Sequence, residues 1–181
     1  MADRRPPTHP AGEDHSQEMN TEIIIRDAAA NELDRIEDLV KTAYREFQPL
    51  FPEAVWNAWM DNISRTIRSG AGMLMVAEHQ GDLQGVVQFF PDAAQSGMGT
   101  WPPGSAAIRI LAVRPQGRGK GYGTMLTREC LHRARELKIP TVYLYTGEFM
   151  RAARHIYEGL GFKRAPEFDR HPGPIAYRLD L

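Results

Sequence analysis

Val113-Arg114-Pro115-Gln116-Gly117-Arg118-Gly119-Lys120-Gly121-Tyr122-Gly123-Thr124-Met125-Leu126 is the stretch on which the reading of this chain turns. Glycine recurs at alternate positions, 117, 119, 121 and 123, with Arg118 and Lys120 between. Glycine tolerates positive φ and leaves the backbone bare, so successive N–H groups can converge on one anion. An apolar, strand-like run over 106–113 precedes the turn, and Leu126, Cys130, Ala134 and Leu137 follow it at helical spacing. A helix that starts here offers unpaired N–H groups and about half a positive charge, which together stabilise a phosphate. Two other phosphate-binding turns are excluded by spacing. A Walker-type loop needs Gly-Lys followed by Ser or Thr, but Gly121 follows Lys120; a dinucleotide fingerprint needs G-x-G-x-x-G, but 119–124 reads G-K-G-Y-G-T.

Outward from the turn, the chain reads as alternating strands and helices. Residues 1–20 carry Pro6, Pro7, Pro10 and Gly12 with almost nothing to bury, the composition of a disordered tail, so the folded domain is expected over 21–181. Glu22-Ile23-Ile24-Ile25-Arg26 is the first strand, and Asp27 is placed to cap a helix with Leu33, Ile36, Leu39, Val40, Ala43, Tyr44 and Phe47 on one face. Pro52 opens a second helix with Val55, Trp56, Trp59, Ile63 and Ile67 inward and Gly70 as terminator. Residues 73–78 and 83–90 form a hairpin around Gly81-Asp82. Residues 91–104 hold three prolines and three glycines, which suits a long, mobile loop. After the strand, glycine turn and helix come a strand over 141–146, a helix over 150–160 ended by Gly161, and a last strand over 175–181.

Composition bounds the function classes. With 42% hydrophobic and 25% charged residues in 181, one buried core is expected. A net charge of -1 argues against nucleic acid or an anionic membrane as partner of the whole surface. Locally the balance reverses: Arg109, Arg114, Arg118, Lys120, Arg128, Arg133, Arg135 and Lys138 face only Glu129 and Glu136. Cys130 is the single cysteine, which excludes an internal disulfide or a cysteine-based zinc site. No run approaches the ~18 apolar residues of a membrane span, and residues 1–20 lack the apolar core of a signal peptide, so a cytoplasmic location is expected.

The stretch 113–126 resembles the acyl-CoA-binding motif of the GNAT superfamily of N-acetyltransferases, whose core R/Q-x-x-G-x-G/A is supplied by Arg118, Gly121 and Gly123. Ala153-Arg154-His155-Ile156-Tyr157-Glu158-Gly159-Leu160-Gly161-Phe162 resembles the A-x-x-x-Y-x-x-x-G-F segment that follows the fifth strand in that superfamily, and the element order agrees. The resemblance implies an α/β (α+β) fold with a mixed, mostly antiparallel sheet of about seven strands flanked by about four helices. It implies that the backbone of Leu111, Ala112 and Val113 meets the acyl group and pantetheine arm of acetyl-CoA or a related acyl-CoA. It implies that Arg118, Gly119, Lys120, Gly121, Tyr122, Gly123 and Thr124 hold the pyrophosphate, and that Tyr157 protonates the departing thiolate. The expected reaction is transfer of an acetyl group to a primary amine, small molecule or peptide, by direct attack in a ternary complex; a homodimer is left open.

Two positions depart from the family pattern. Met150 stands where Asn is frequent, and the fourth strand, Ala106-Ala107-Ile108-Arg109-Ile110-Leu111, lacks the glutamate that serves many members as general base. An ammonium must lose a proton before attack, so another acceptor is required; Glu148 is the first candidate and Asp92 the second. The missing carboxylate keeps a second reading in view, a non-catalytic acyl-CoA-binding sensor. The remaining chemistry-bearing residues have structural readings. Tyr122 is expected to be structural, Cys130 a small core hydrophobe, and the six histidines lack metal-ligand spacing, so no metal is expected. Tyr44, Phe47, Phe51, Trp56 and Trp59 read as core, with one or two lining an acceptor pocket. The basic residues of 128–138 read as a solvated helix face.

Overall fold

Period-two alternation assigns the sheet its two faces. In the computed structural model, which describes residues 22–181, Met75 and Ala77 of β2 (Met73–His79) enter one apolar layer and Val76 between them enters another. In β3 (Asp82–Phe90), Val87 and Phe89 join the first layer and Val86 the second. With β1 (Ile23–Asp27), β4 (Ala106–Val113), β5 (Thr141–Thr146), β6 (Lys163–Arg164) and β7 (Ile175–Asp180), these strands make one sheet in the order β1-β2-β3-β4-β5-β7-β6. Every neighbouring pair is antiparallel except β4 and β5. Parallel neighbours need a long crossover, and α3 (Tyr122–Glu136) supplies it.

Four helices cover the sheet. Leu126, Cys130, Leu131 and Ala134 of α3, with Tyr157 of α4 (Arg151–Gly159), close the first layer. Ile36, Leu39 and Val40 of α1 (Leu33–Tyr44), with Ile63 and Ile67 of α2 (Glu53–Arg68), close the second. This is the α/β architecture expected, a mixed, mostly antiparallel sheet of seven strands with four helices. The tail expected over 1–20 lies outside the described residues.

Several local expectations change. Asp27 ends β1 instead of capping α1, and its carboxylate takes a hydrogen bond from Arg133 Nη1 at 2.6 Å. On α2 the exposed Val55 gives way to Met60 as an inward residue, and Leu137, expected on the apolar stripe of α3, is 51% exposed just past the helix end. The β2–β3 turn is Gln80-Gly81, both at positive φ (54° and 81°), the backbone of a two-residue hairpin loop. The 91–104 segment, read as mobile, is anchored. It contains a short 3₁₀ turn, Ala93–Ser96, and Trp101 is buried against Tyr143, Tyr145 and Phe168 with ring centroids 4.9, 4.5 and 5.5 Å away. Proline and glycine counts register the irregular backbone but not the aromatic that ties it down.

The entry to α1 is fixed by charge. Arg26 donates to Glu32 at 2.7 and 2.8 Å and to Glu78 at 2.6 and 2.9 Å, while the Ala29 N–H donates to Glu32 Oε2 at 2.8 Å. The bonded guanidinium, helped by the Ala29 amide and opposed by burial, holds the Glu32 carboxyl down to about 2. A carboxyl depressed below its unfolded value of about 4.3 contributes stability that is fully present above that value and is lost as pH falls toward the folded one. The stability difference between the wild type and Glu32→Gln, measured by urea denaturation, is therefore expected to be largest above about pH 5 and to shrink as pH falls from about 4.5 to about 2.

Candidate active site

β4 has a partner on its β5 side for only part of its length. Ala106, Ala107 and Ile108 pair with Val142, Tyr143 and Leu144, and from Arg109 onward no strand among the described residues pairs with that edge. On the other side, the register with β3 shifts between Val86 and Gln88: Val86 opposes Ala112 and Gln88 opposes Arg109, so Ile110 and Leu111 occupy the place of one residue. Ile110 takes φ 56°, a left-handed conformation that a β-branched residue adopts rarely. Strain of this kind persists where the surroundings hold it and concentrates at functional sites. The bulge bends β4 away from β5 and opens a seam between the two parallel strands.

Two cavities flank the seam. The larger, about 490 Å³, lies among α2, the 91–104 segment, β4 and the β5–α4 turn, with Phe51, Trp59, Trp101, Tyr145 and Phe149 in its wall. The smaller, about 400 Å³, lies between the end of α1 and the turn before α3. Tyr44, Leu111 and Met150 line both. The smaller cavity collects Leu111, Ala112, Val113, Arg118, Gly119, Gly121, Tyr122, Gly123 and Thr124 from the predicted cofactor set, and leaves out Lys120, which is exposed.

The glycines divide by role. Gly119 (φ 76°) and Gly121 (φ 86°) need positive φ, and a Cβ built on either would meet nothing within 4 Å, so both present bare backbone to open space. Gly121 is the N-cap of α3, which directs the unpaired N–H groups of the first turn at that space. Gly123 serves packing instead: a Cβ there would stand 2.7 Å from Ile156 Cδ1, so its absence lets α3 and α4 touch. The charge expected from Arg118 is already engaged, since it donates to the Ala43 carbonyl at 2.9 Å and pairs with Glu46 at 2.6 Å. Arg118 thus ties the turn to the end of α1, and the positive character of the turn comes chiefly from the helix N-terminus. Tyr122 has the expected structural role: its ring packs against Gly117, and its hydroxyl is 3.1 Å from His79 Nδ1.

Tyr157 stands at the seam, 4% exposed, lining the larger cavity. Its hydroxyl has no hydrogen-bond partner among the described residues, and burial raises its pKa, so the phenol stays protonated at neutral pH. Tyr44, one of the five aromatics read as core with one or two at a pocket, lines both cavities. Its hydroxyl donates to the Leu111 carbonyl at 2.9 Å, pinning the bulge to α1, while its ring stacks on Trp59 at 5.4 Å. Position on the apolar stripe was visible in the sequence; the partner of the hydroxyl was not. Glu148 is exposed in the wall of the larger cavity, and its backbone carbonyl takes a hydrogen bond from Arg154 at 3.2 Å. Asp92, the second candidate base, lines neither cavity and instead accepts from the Ala94 N–H at 3.1 Å, capping the 3₁₀ turn. Cys130 is fully buried, and burial raises its thiol pKa. Among the described residues no three His, Cys, Asp or Glu side chains converge, and no helix is long and apolar enough to cross a membrane.

A mixed sheet that parts between its two parallel strands, with a glycine turn leading into the crossover helix, is the fold of the GNAT acyltransferases. The chain belongs to the Acetyltransferase (GNAT) family, whose profile matches residues 33–162. Over 74 residues, 41% of this chain and 23% of its relative, it is 40% identical to a mycothiol acetyltransferase of Tsukamurella paurometabola. The chain spans 23%, 19% and 46% of the length of the first three curated relatives it matches. The same fold occurs in the PaiA N-acetyltransferase of Thermoplasma acidophilum in complex with coenzyme A, with a TM-score of 0.70 at 15% identity over 88% of this chain and 99% of that one. A Brucella melitensis GNAT family acetyltransferase in complex with acetyl-CoA gives 0.61 at 19% identity, over 89% of each chain.

The two seam tyrosines differ in what their hydroxyls do for the fold. Tyr44→Phe is expected to lower the unfolding free energy by about 1 kcal/mol, because the buried Leu111 carbonyl loses its donor. Tyr157→Phe is expected to change it by less than about 0.5 kcal/mol, because no protein partner is lost. Chemical denaturation of the two variants checks the contrast.

Proposed function

We propose that this chain transfers an acetyl group from acetyl-CoA to a primary amine by direct attack in a ternary complex. The observation that carries the proposal is the meeting of two cavities at the β4–β5 seam, one bordered by the bare backbone of Gly119 and Gly121 at a helix N-terminus, the other by aromatic walls. The smaller cavity takes the pyrophosphate at the first turn of α3 and the pantetheine arm along residues 111–113, beyond the last β4 residue that pairs with β5. The larger cavity takes the amine. This division brings both reactants to Leu111 and Tyr157 and supplies the proximity that a two-substrate reaction needs.

The chemistry follows from that placement. The amine nitrogen attacks the thioester carbonyl, whose oxygen is stabilised by a backbone N–H of β4 near Leu111. The C–S bond breaks as the tetrahedral intermediate collapses, and Tyr157, kept neutral by burial, gives its proton to the thiolate. The proton lost by the amine passes to Glu148, directly or through water, since among the described residues that is the only carboxylate in the wall of the larger cavity. No covalent enzyme intermediate is required.

Acetyl-CoA at a hundred times its Kd is expected to stabilise the fold by about 2.7 kcal/mol; no shift in the melting curve would refute the binding. Thiol release with a panel of amines is expected to fall about 10²- to 10⁴-fold in Tyr157→Phe, and unchanged turnover would remove Tyr157 as the acid. Stabilisation by acetyl-CoA with no thiol release from any amine would turn the reading to a ligand-binding sensor.

A further inference from the structure

The larger cavity contains a guanidinium that no carboxylate among the described residues neutralises. Arg109 lies on β4 one residue beyond the last pair with β5 and immediately before the bulge. Its Nη1 donates to the Ser96 carbonyl and, at 3.2 Å, to Thr66 Oγ1, and its Nη2 donates to Asn62 Oδ1 at 2.9 Å. All three partners are neutral. No carboxylate among the described residues lies within 4.0 Å of it, whereas Arg26, Arg68, Arg133 and Arg164 each sit in an ion pair. The neutral oxygens hold the side chain in place without compensating its charge. A partly desolvated, uncompensated cation is a standing cost to the fold. Of the five guanidinium N–H donors, Nε–H and one on Nη2 have no partner among the described residues, enough for a two-point contact with a carboxylate.

The rest of the cavity wall narrows the ligand further. Among the described residues Arg109 is its one cation and Glu148 its one carboxylate, and most of the remaining surface is apolar or aromatic. Trp101 Nε1 and Thr146 Oγ1, on two residues of the same wall, are buried polar atoms with no partner among the described residues. Arg109 and Leu111 are two residues apart on one strand, about 7 Å at most between Cα atoms, so a group held at Arg109 and a group reacting near Leu111 can belong to one small molecule.

We propose that Arg109 selects the acceptor by pairing with a carboxylate on it, so that the acceptor is a small amino acid-like molecule: a primary amine, a carboxylate and an apolar or aromatic body. This rests on the acetyl-transfer reading of the same cavity. The carboxylate lies against Arg109, the body against Phe51, Trp59 and Trp101, and the amine points to the seam and Glu148. The same cation disfavours polyamines and other acceptors whose charge is entirely positive.

The test compares apolar α-amino acids with their own carboxamides, titrated calorimetrically into the protein with and without coenzyme A, in wild type, Arg109→Gln and Arg109→Lys. Wild type is expected to bind each acid about 10- to 100-fold more tightly than its amide, the range of a charge-assisted hydrogen bond. Arg109→Gln is expected to bring that ratio close to one, and Arg109→Lys to keep part of it through a point charge without the fork. Equal binding of acid and amide by the wild type overturns the assignment, as does a preference that survives in Arg109→Gln. The wild-type comparison stands even if a variant fails to fold. Failure of the acetyl-transfer reading looks different: the acid is still preferred, but coenzyme A does not stabilise the protein or no acetylated amine forms.

Discussion

Pairing between β4 and β5 ends after three residue pairs, and the rest of the site depends on that ending. Full-length pairing would bury the peptide groups of residues 109–113 in the sheet and leave no seam. The bulge at Ile110 and Leu111 prevents it by giving β3 two residues where it has room for one, which turns β4 away. Tyr44 then holds the bent strand from the other side through the Leu111 carbonyl. The same hydrogen bond places an α1 residue at the boundary of both cavities, so the geometry of the seam and the packing of α1 are coupled.

Electrostatics at the seam comes more from backbone than from side chains. The cations that make 109–138 look basic are spent in different ways. Arg118 pairs with Glu46 and Arg133 with Asp27 and Glu129, Lys120 is in solvent, and Arg109 faces the other cavity. What remains beside the glycine turn is the N-terminus of α3, with Gly119 and Gly121 stripped of side chains toward open space. Oriented N–H groups of this kind bind an anion without the entropy loss of ordering a long side chain. On the opposite wall, burial keeps the Tyr157 phenol protonated, the state a proton donor needs.

Most of the fold was legible because it is local. β4 and β5 have the bounds that their apolar runs gave, and α3 begins within the glycine cluster, at Tyr122. The glycine turn could be read as an anion site because its chemistry lies in backbone and spacing, which sequence displays directly. Long-range partnerships were not legible. Nothing in Trp101 announces the aromatic neighbours that fix it, and Asp27 looked like a cap because its partner Arg133 is distant in sequence. Arg109 counted as one more cation in a basic stretch; the available signal was a single charge in an otherwise apolar strand, which a strand buried on both faces tolerates only with a reason. Gly123 fits the motif and lines the smaller cavity, and its lack of a side chain has a second use that spacing did not display, the contact with Ile156.

Acetyl-CoA held as proposed, by backbone at the open edge of β4 and the first turn of α3, would shield the amides of both segments from solvent. Amide hydrogen exchange, followed by mass spectrometry with and without coenzyme A, tests it at those groups. Slowed exchange is expected in peptides covering 110–114 and 118–125, with little change in β1 and β2. Coenzyme A binding that leaves both segments unprotected would contradict it.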